Sequence, residues 1–206
     1  MTQSSGTQPT AVGFFSLATA GALVTILVWG GTPIITKFGA VSVDVFSLAL
    51  LRTVMSLPLA VLIIAVLRCP LPWRGKDKWL LLVVGIPGVV GFPVLFTLGV
   101  GLTTAGHAAV VAAATPVFVG LLESVVSRRL PTPRWWIGVS VAFAGAVILI
   151  MEAVGLDTAG ATWQGDLLAA GGGFSAAVSF VAGARLTPRY GPTGVTMWGV
   201  VIAAIV

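Results

Sequence analysis

The amino-acid sequence predicts an all-α polytopic membrane protein with six complete transmembrane helices plus a truncated seventh. Three observations carry this. Hydrophobic residues make up 57% of the 206-residue chain and charged residues only 8%, with a mean hydropathy of +1.08, whereas soluble domains are about 25% charged. The apolar residues fall into runs of about 20, the length a helix needs to cross a ~30 Å hydrocarbon core. The cationic residues sort between loops. Of the 11 Lys and Arg residues, nine (Arg68, Arg74, Lys76, Lys78, Arg128, Arg129, Arg134, Arg185 and Arg189) fall in three alternate loops, Lys37 falls in another, and Arg52 lies inside a helix. Cationic loops resist translocation, so these three loops and the N-terminus are expected in the cytoplasm, with the protein multi-pass in the cell (plasma or inner) membrane. The net charge of +5 is therefore a topology signal, and nucleic-acid binding is not expected.

Met1 to Thr10 carries no Lys or Arg, and the first apolar run, 14–36, exceeds the ~7–15 residue core of a cleaved signal. It is read as a retained helix behind a polar cytoplasmic N-terminus, 1–13. Within it, Trp29-Gly30-Gly31-Thr32-Pro33 loosens the outer half and lets backbone approach a neighbour. Lys37 is expected to cap its end. Asp44 then opens a short external turn, and helix two, 45–67, contains Arg52 and Pro58. In the loop that follows, Trp73 and Trp79 suit the membrane interface. Cys69, the single cysteine, excludes an intrachain disulfide and a cysteine-based metal site.

Helix three, 79–100, holds Gly85, Pro87, Gly88, Gly91 and Pro93, so its hydrogen-bond ladder must break at least once. Carbonyls freed in lipid need a protein or water partner, which implies either a cavity wall or a packing kink. Helix four, 104–127, and helix five, 135–151, form an antiparallel hairpin about the basic turn of Arg128, Arg129 and Arg134. An external loop, 152–165, contains Glu152 and Asp157. Helix six, 166–184, repeats Gly171, Ser175, Ser179 and Gly183 every fourth residue, a small-residue stripe that permits close helix contact. The run from 193 to 206 is too short to span as an untilted helix, so the expectation is a fragment or a truncated protein.

Gly21-Ala22-Leu23 through Trp29-Gly30 to Lys37 weakly echoes Gly165-Asp166-Leu167-Leu168 through Phe174-Ser175-Ala176 to Arg185. If helix six restarts helix one after five crossings, the second copy lies inverted in the membrane. With Leu51-Arg52, Thr104-Ala105-Gly106-His107-Ala108-Ala109, Thr115-Pro116-Val117-Phe118, Arg129-Leu130, Gly138 and Ala144-Gly145, the chain resembles the EamA-type proteins of the drug/metabolite transporter superfamily over about residues 17–206. The resemblance implies two five-helix inverted repeats. Here these are a first repeat, 14–151, and the incomplete start of a second, 166–206. It further implies a transporter, an exporter of small organic solutes or metabolites, working by alternating access on an ion or solute gradient. Arg128 stands where the family usually places a glutamate before Arg-Leu, and the nearest acid is Glu123.

Intramembrane polar groups are costly, so each calls for a reason. Arg52 reads either as an anion contact in a cavity or as an arginine that snorkels or pairs with Asp44. His107, the only histidine, reads as a solute contact and as a proton-coupling candidate, histidine being the side chain that changes charge near neutral pH; the alternative is a local hydrogen bond. Glu123 is either a second proton carrier or the partner of a nearby arginine such as Arg68. Trp29, Phe92 and Phe118 offer aromatic walls, and Thr32 and Thr115, beside prolines, satisfy loosened backbone or touch solute. Pro33, Pro87, Pro93 and Pro116 are expected kinks. No catalytic residue, metal site or cofactor is expected, and no glycine loop ending in Lys-Ser or Lys-Thr for ATP is present. Two other classes stay open: a non-transporting membrane scaffold, and an intramembrane serine protease built on Gly173-Phe174-Ser175-Ala176, for which the sole histidine lies on the wrong side of the serine.

Overall fold

A computed structural model describes residues 17–154 and 162–205. The expected N-terminal tail and Asp157 lie outside the described residues, as do the side chains of Met151 and Glu152. Among the described residues every element is a helix, and five spans are long and apolar enough to cross a membrane: Thr19–Gly39, Phe46–Leu67, Asp77–Leu102, Ala105–Ser127 and Trp163–Tyr190. The chain divides between Thr32 and Pro33 into two units. The first holds most of α1 (Leu17–Ser42), where Thr25 and Thr32 donate their hydroxyls to the carbonyls of Gly21 and Val28, one turn back.

In the second unit, α1 runs on to Ser42, so Lys37 does not cap the first helix as expected but lies inside it. The connection is only Val43 and Asp44, and Asp44 caps α2 (Val45–Leu67) by accepting from Ser47 N–H at 3.0 Å. A carboxylate there satisfies an otherwise orphaned amide at the positive end of the helix dipole. α2 stops at Arg68, which adopts a left-handed conformation (φ 49°).

The third crossing changes helix type twice. α3 (Asp77–Val83) gives way to a π-helical segment, Val84–Gly91, and then to α4 (Phe92–Leu102). Pro87 and Pro93 supply no N–H, so carbonyls one turn before them lose their α-helical donors. Val89 O, the carbonyl opposite Pro93, instead accepts from Thr53 Oγ1 of α2 at 3.1 Å. Pro87 O accepts from Ser175 Oγ at 2.9 Å and Val84 O from Ser179 Oγ at 3.0 Å. Both serines belong to α8 (Trp163–Tyr190); Pro87 O also keeps an intrahelical donor in Phe92 N–H, so Thr53 replaces the donor that Pro93 lacks and the two serines add a second bond to carbonyls of the π segment.

The expected fourth helix is two. α5 (Ala105–Ala113) and α6 (Thr115–Ser127) meet at Ala114, whose N–H turns back to Val111 O, and Pro116 opens the second helix. α6 ends at Arg128, again left-handed at φ 53°. α7 (Pro133–Val154) and α9 (Pro192–Ile205) complete the set. α8 is longer than the expected 166–184, and its last turns carry Arg185, Pro188 and Arg189.

α8 packs against α3, the π segment, α4, α5, α6 and α9, which its small residues permit. A Cβ on Gly99 would meet Ala169 N at 2.6 Å, one on Gly91 would meet Ser175 Oγ at 2.5 Å, and one on Gly88 would fall inside the shell of Ser179 Oγ. Two apolar clusters flank this seam. Leu81, Val84, Ala182, Leu186 and Val195 form one, and Phe96, Val100, Ala108 and Ala169 the other. Thr97, fully buried in α4, has a hydroxyl without a hydrogen-bond partner among the described residues.

Two stability outcomes follow, both readable by thermal unfolding in detergent with tryptophan fluorescence. Gly88→Ala is expected to lower the midpoint clearly more than Gly183→Ala, whose added Cβ would make only ordinary contacts at 3.7 Å with Val84; equal effects would remove the close approach at Gly88. Thr97→Val keeps the shape and deletes the unpaired hydroxyl, so it is expected to stabilise by about 1 kcal/mol. A lower midpoint for that variant would mean the hydroxyl is satisfied.

Candidate functional site

Among the described residues a polar grouping gathers where α4 turns into α5. Thr103 is extended between the two helices (φ −130°, ψ −178°), and Thr104 caps α5 by accepting from His107 N–H. This turn leaves the last carbonyls of α4 without intrahelical donors. Lys37 supplies them: its Nζ lies 2.7 Å from Thr103 O, 3.0 Å from Val100 O and 3.4 Å from Gly101 O. A cation at the negative end of a helix dipole is the favourable arrangement.

The N-terminus of α8 docks on the same turn. Thr162 caps α8 by accepting from Gly165 N–H and donates its own hydroxyl to Leu102 O at 2.5 Å. Gly165 has no room for a side chain, since a Cβ would lie 2.7 Å from the Leu102 carbonyl carbon. The close fit brings Asp166 between two donors. Thr103 Oγ1 donates to its Oδ1 at 2.7 Å, and His107 Nδ1 lies 3.1 Å from its Oδ2. Asp166 also sits in the first turn of α8, where the dipole favours a carboxylate. The His107 and Asp166 side chains are 21% and 33% exposed.

The other predicted residues are distributed. Arg52 donates from Nη1 to Thr36 Oγ1 at 3.1 Å, tying α2 to α1. Phe92 stacks on Phe96 with ring centroids 5.3 Å apart. Thr115 is buried at the start of α6, close enough to α8 that a Cβ on Gly173 would meet its hydroxyl at 3.0 Å, and Phe118 meets Phe174 edge-on. Glu123 accepts from Ser127 and faces Arg185 of α8 at 3.7 Å, so the arginine that reaches it is Arg185. In the first unit, Trp29 is half-exposed and Thr32 bonds within its own helix. α1 stays helical through Pro33, whereas Pro87 lies in the π segment, Pro93 at the start of α4 and Pro116 at the start of α6.

A cleft of about 280 Å³ runs along the π segment, lined among others by Val84, Gly88, Ser179, Gly183, Thr187 and Thr196. Its walls are apolar with a few hydroxyls. Arg52, Phe92, His107 and Thr115 are not in this lining. Ser175, the serine considered as a nucleophile, spends its hydroxyl hydrogen on Pro87 O.

Sequence reasoning singled out His107 but passed over Asp166 and Lys37 as functional groups. Asp166 counted only as part of the repeat and Lys37 only as a helix cap. The available signal was an acid one turn into a long apolar helix, which is costly unless paired. Lys37→Met is expected to lower the unfolding midpoint by an amount equivalent to about 1–3 kcal/mol, because it strips donors from part-buried carbonyls. A melting curve unchanged by that substitution would show that those carbonyls find other donors.

A profile described as the EamA-like transporter family matches residues 16–151. Two relatives from Archaeoglobus fulgidus, each described as an uncharacterized transporter, are 28% and 26% identical over 182 residues, covering 88% of this chain and 62% and 63% of their own lengths. The chain thus spans just over three fifths of the relatives it matches. No solved structure matches it.

Proposed function

The chain belongs to the EamA-like transporter family, and from that premise we propose that it carries small organic solutes or metabolites across the cell membrane by alternating access, as an exporter driven by an ion or solute gradient. It is a multi-pass membrane protein, and we take its N-terminus as cytoplasmic, with six complete crossings and the start of a seventh. On this reading 14–151 is one five-helix repeat, 152–165 an external loop, and 166–206 the start of an inverted second.

The observation that carries the proposal is the π segment. Transporters place substrate sites at discontinuous helices near the membrane midplane, between repeats. Here the segment is held by α8 hydroxyls and borders the 280 Å³ cleft, close to the size of the smallest ligand sites. Its apolar walls and scattered hydroxyls favour an uncharged or amphiphilic solute. Arg52, Phe92, His107 and Thr115 lie outside that lining and stand as separate candidate solute contacts, as Trp29 and Thr32 do in the first unit, with Glu123 a second candidate for proton handling.

Reconstitution of the chain in liposomes, with a panel of radiolabelled amino acids, organic cations and neutral metabolites, tests the proposal. Flux above protein-free vesicles for at least one class is expected, and none for any class would count against it. Arg52→Ala is expected to lower that flux about tenfold or more, the loss of one charged hydrogen bond, while membrane insertion is retained. Parallel loss of insertion and flux would leave Arg52 a structural role only.

A further inference from the structure

We propose that His107 and Asp166 form a proton-binding site that latches the start of α8 to the α4–α5 turn, and that uptake of one proton there closes this end of the molecule. The inference rests on the transporter reading above and names the ion that would drive it. An ionised carboxylate can only accept, so the 3.1 Å contact places the hydrogen of the neutral imidazole on Nδ1, donating to Asp166 Oδ2. Nε2 is then the basic atom. A proton arriving from water forms an N–H bond at Nε2, no bond breaks, and the ring gains one positive charge. The Nδ1–H contact becomes an ion pair, which adds Coulomb attraction to the hydrogen bond already present. Both side chains are mostly covered, at 21% and 33% exposure, so this attraction is less screened than at an open surface.

The charges around the pair act in opposite senses. Lys37 of α1, 2.7 Å from Thr103 O, opposes a second cation, and Asp166 of α8 is the counter-charge that makes one tolerable. α4 offers no titratable side chain, α6 only Glu123 in its far half, and Glu152 of α7 has a side chain outside the described residues. Thr103 Oγ1 donates to the other carboxylate oxygen at 2.7 Å, a bond that needs no charge on the histidine, so the latch is taken to change strength without losing its register.

The sign gives a direction. His107 lies in the first five-helix block and Asp166 opens the next, so a tighter pair pulls the two together at this end. With this end facing outward, an external proton closes the outer face, which is the return step of an exporter that exchanges an entering proton for a leaving solute.

Hydrogen exchange of the full chain in lipid nanodiscs, at about pH 5.5 and about pH 8 on either side of the usual histidine range, reads the latch without needing the solute. Protection factors, already corrected for intrinsic exchange, are expected to fall about threefold at the higher pH for amides in 103–108 and 163–168, the scale set by a partly exposed ion pair. Those in 176–182 should hold. His107→Gln and Asp166→Asn should each abolish the response. His107→Gln retains a side-chain donor, so it carries the comparison if Asp166→Asn fails to fold. A wild-type response absent at 103–108 and 163–168, or one that survives His107→Gln, overturns the latch whatever the flux assay gives. A response that is present and histidine-dependent, with no solute flux from the panel, supports the proton site and removes the transporter reading instead.

Discussion

A carbonyl freed from its helix inside a bilayer has no water to accept from, and the cost of leaving it unpaired is several kcal/mol. Val89 O, whose α-helical donor would be Pro93, stands under that constraint and accepts from Thr53, while Val84 O and Pro87 O, already within the π-helical ladder, take a serine hydroxyl of α8 besides. The three donors, Ser179, Ser175 and Thr53, come from helices far away in sequence, with separations of 95, 88 and 36 residues. A serine hydroxyl reaches only a short distance, so α8 must approach the π segment closely. That in turn requires glycine at 88 and 91, where a side chain would collide with the donors themselves. The glycines that admit α8 and the serines that bond the π segment form one dependency, and Thr53 meets the carbonyl that Pro93 leaves open.

This dependency explains which parts were legible in the sequence. Pro87 and Pro93 announce a break, and the stripe of Gly171, Ser175, Ser179 and Gly183 announces a close helix contact. Both were readable because each is local, a matter of backbone donors or of four-residue periodicity. That the two belong together was not readable, since nothing local pairs Ser179 with Val84. α8 is also small on a second face, with Ala169 and Gly172 against α4, and one stripe could not disclose that. The limits of helices one and six are hidden for a related reason. Lys37 and Arg185 look like helix ends because charges usually sit at membrane edges, but Lys37 caps a neighbouring helix from inside α1, and Arg185 and Arg189 reach acids on α6 and α3 from the last turns of α8.

The polar site was half legible. His107 stands out as the sole histidine, and its type alone indicates a group able to change charge. Its partner did not stand out, because Asp166 lies 59 residues further on and sits where a helix N-terminus would welcome an acid anyway. Lys37, 66 residues before Thr103, acts on backbone carbonyls that carry no sequence signature at all. Aromatic candidates fared differently. Phe92 and Phe118 face other phenylalanines, because in an interior made of glycine and alanine the large rings are what fills space.

The two ends of α8 are held by contacts of unequal kind. At the Arg189 end, Asp77 accepts from Tyr190 at 2.9 Å and from Arg189 at 3.3 Å, but the Arg189 side chain is 73% exposed. An ion pair so open to solvent contributes little, about 0–1 kcal/mol, so the neutral tyrosine bond is the firmer half. The Glu123–Arg185 pair, with side chains 49% and 39% exposed, is similarly screened. At the Asp166 end the contacts are three-fold and interlocked: Thr162 on Leu102 O, Thr103 on Asp166, and Lys37 on the same turn. Only there does a titratable histidine join in. A rigid α8 pivoting on its serine contacts with the π segment would break the weaker contacts at the Arg189 end first. The end that resists is then the one whose strength depends on a proton, which is where a gradient can act on the balance between the two.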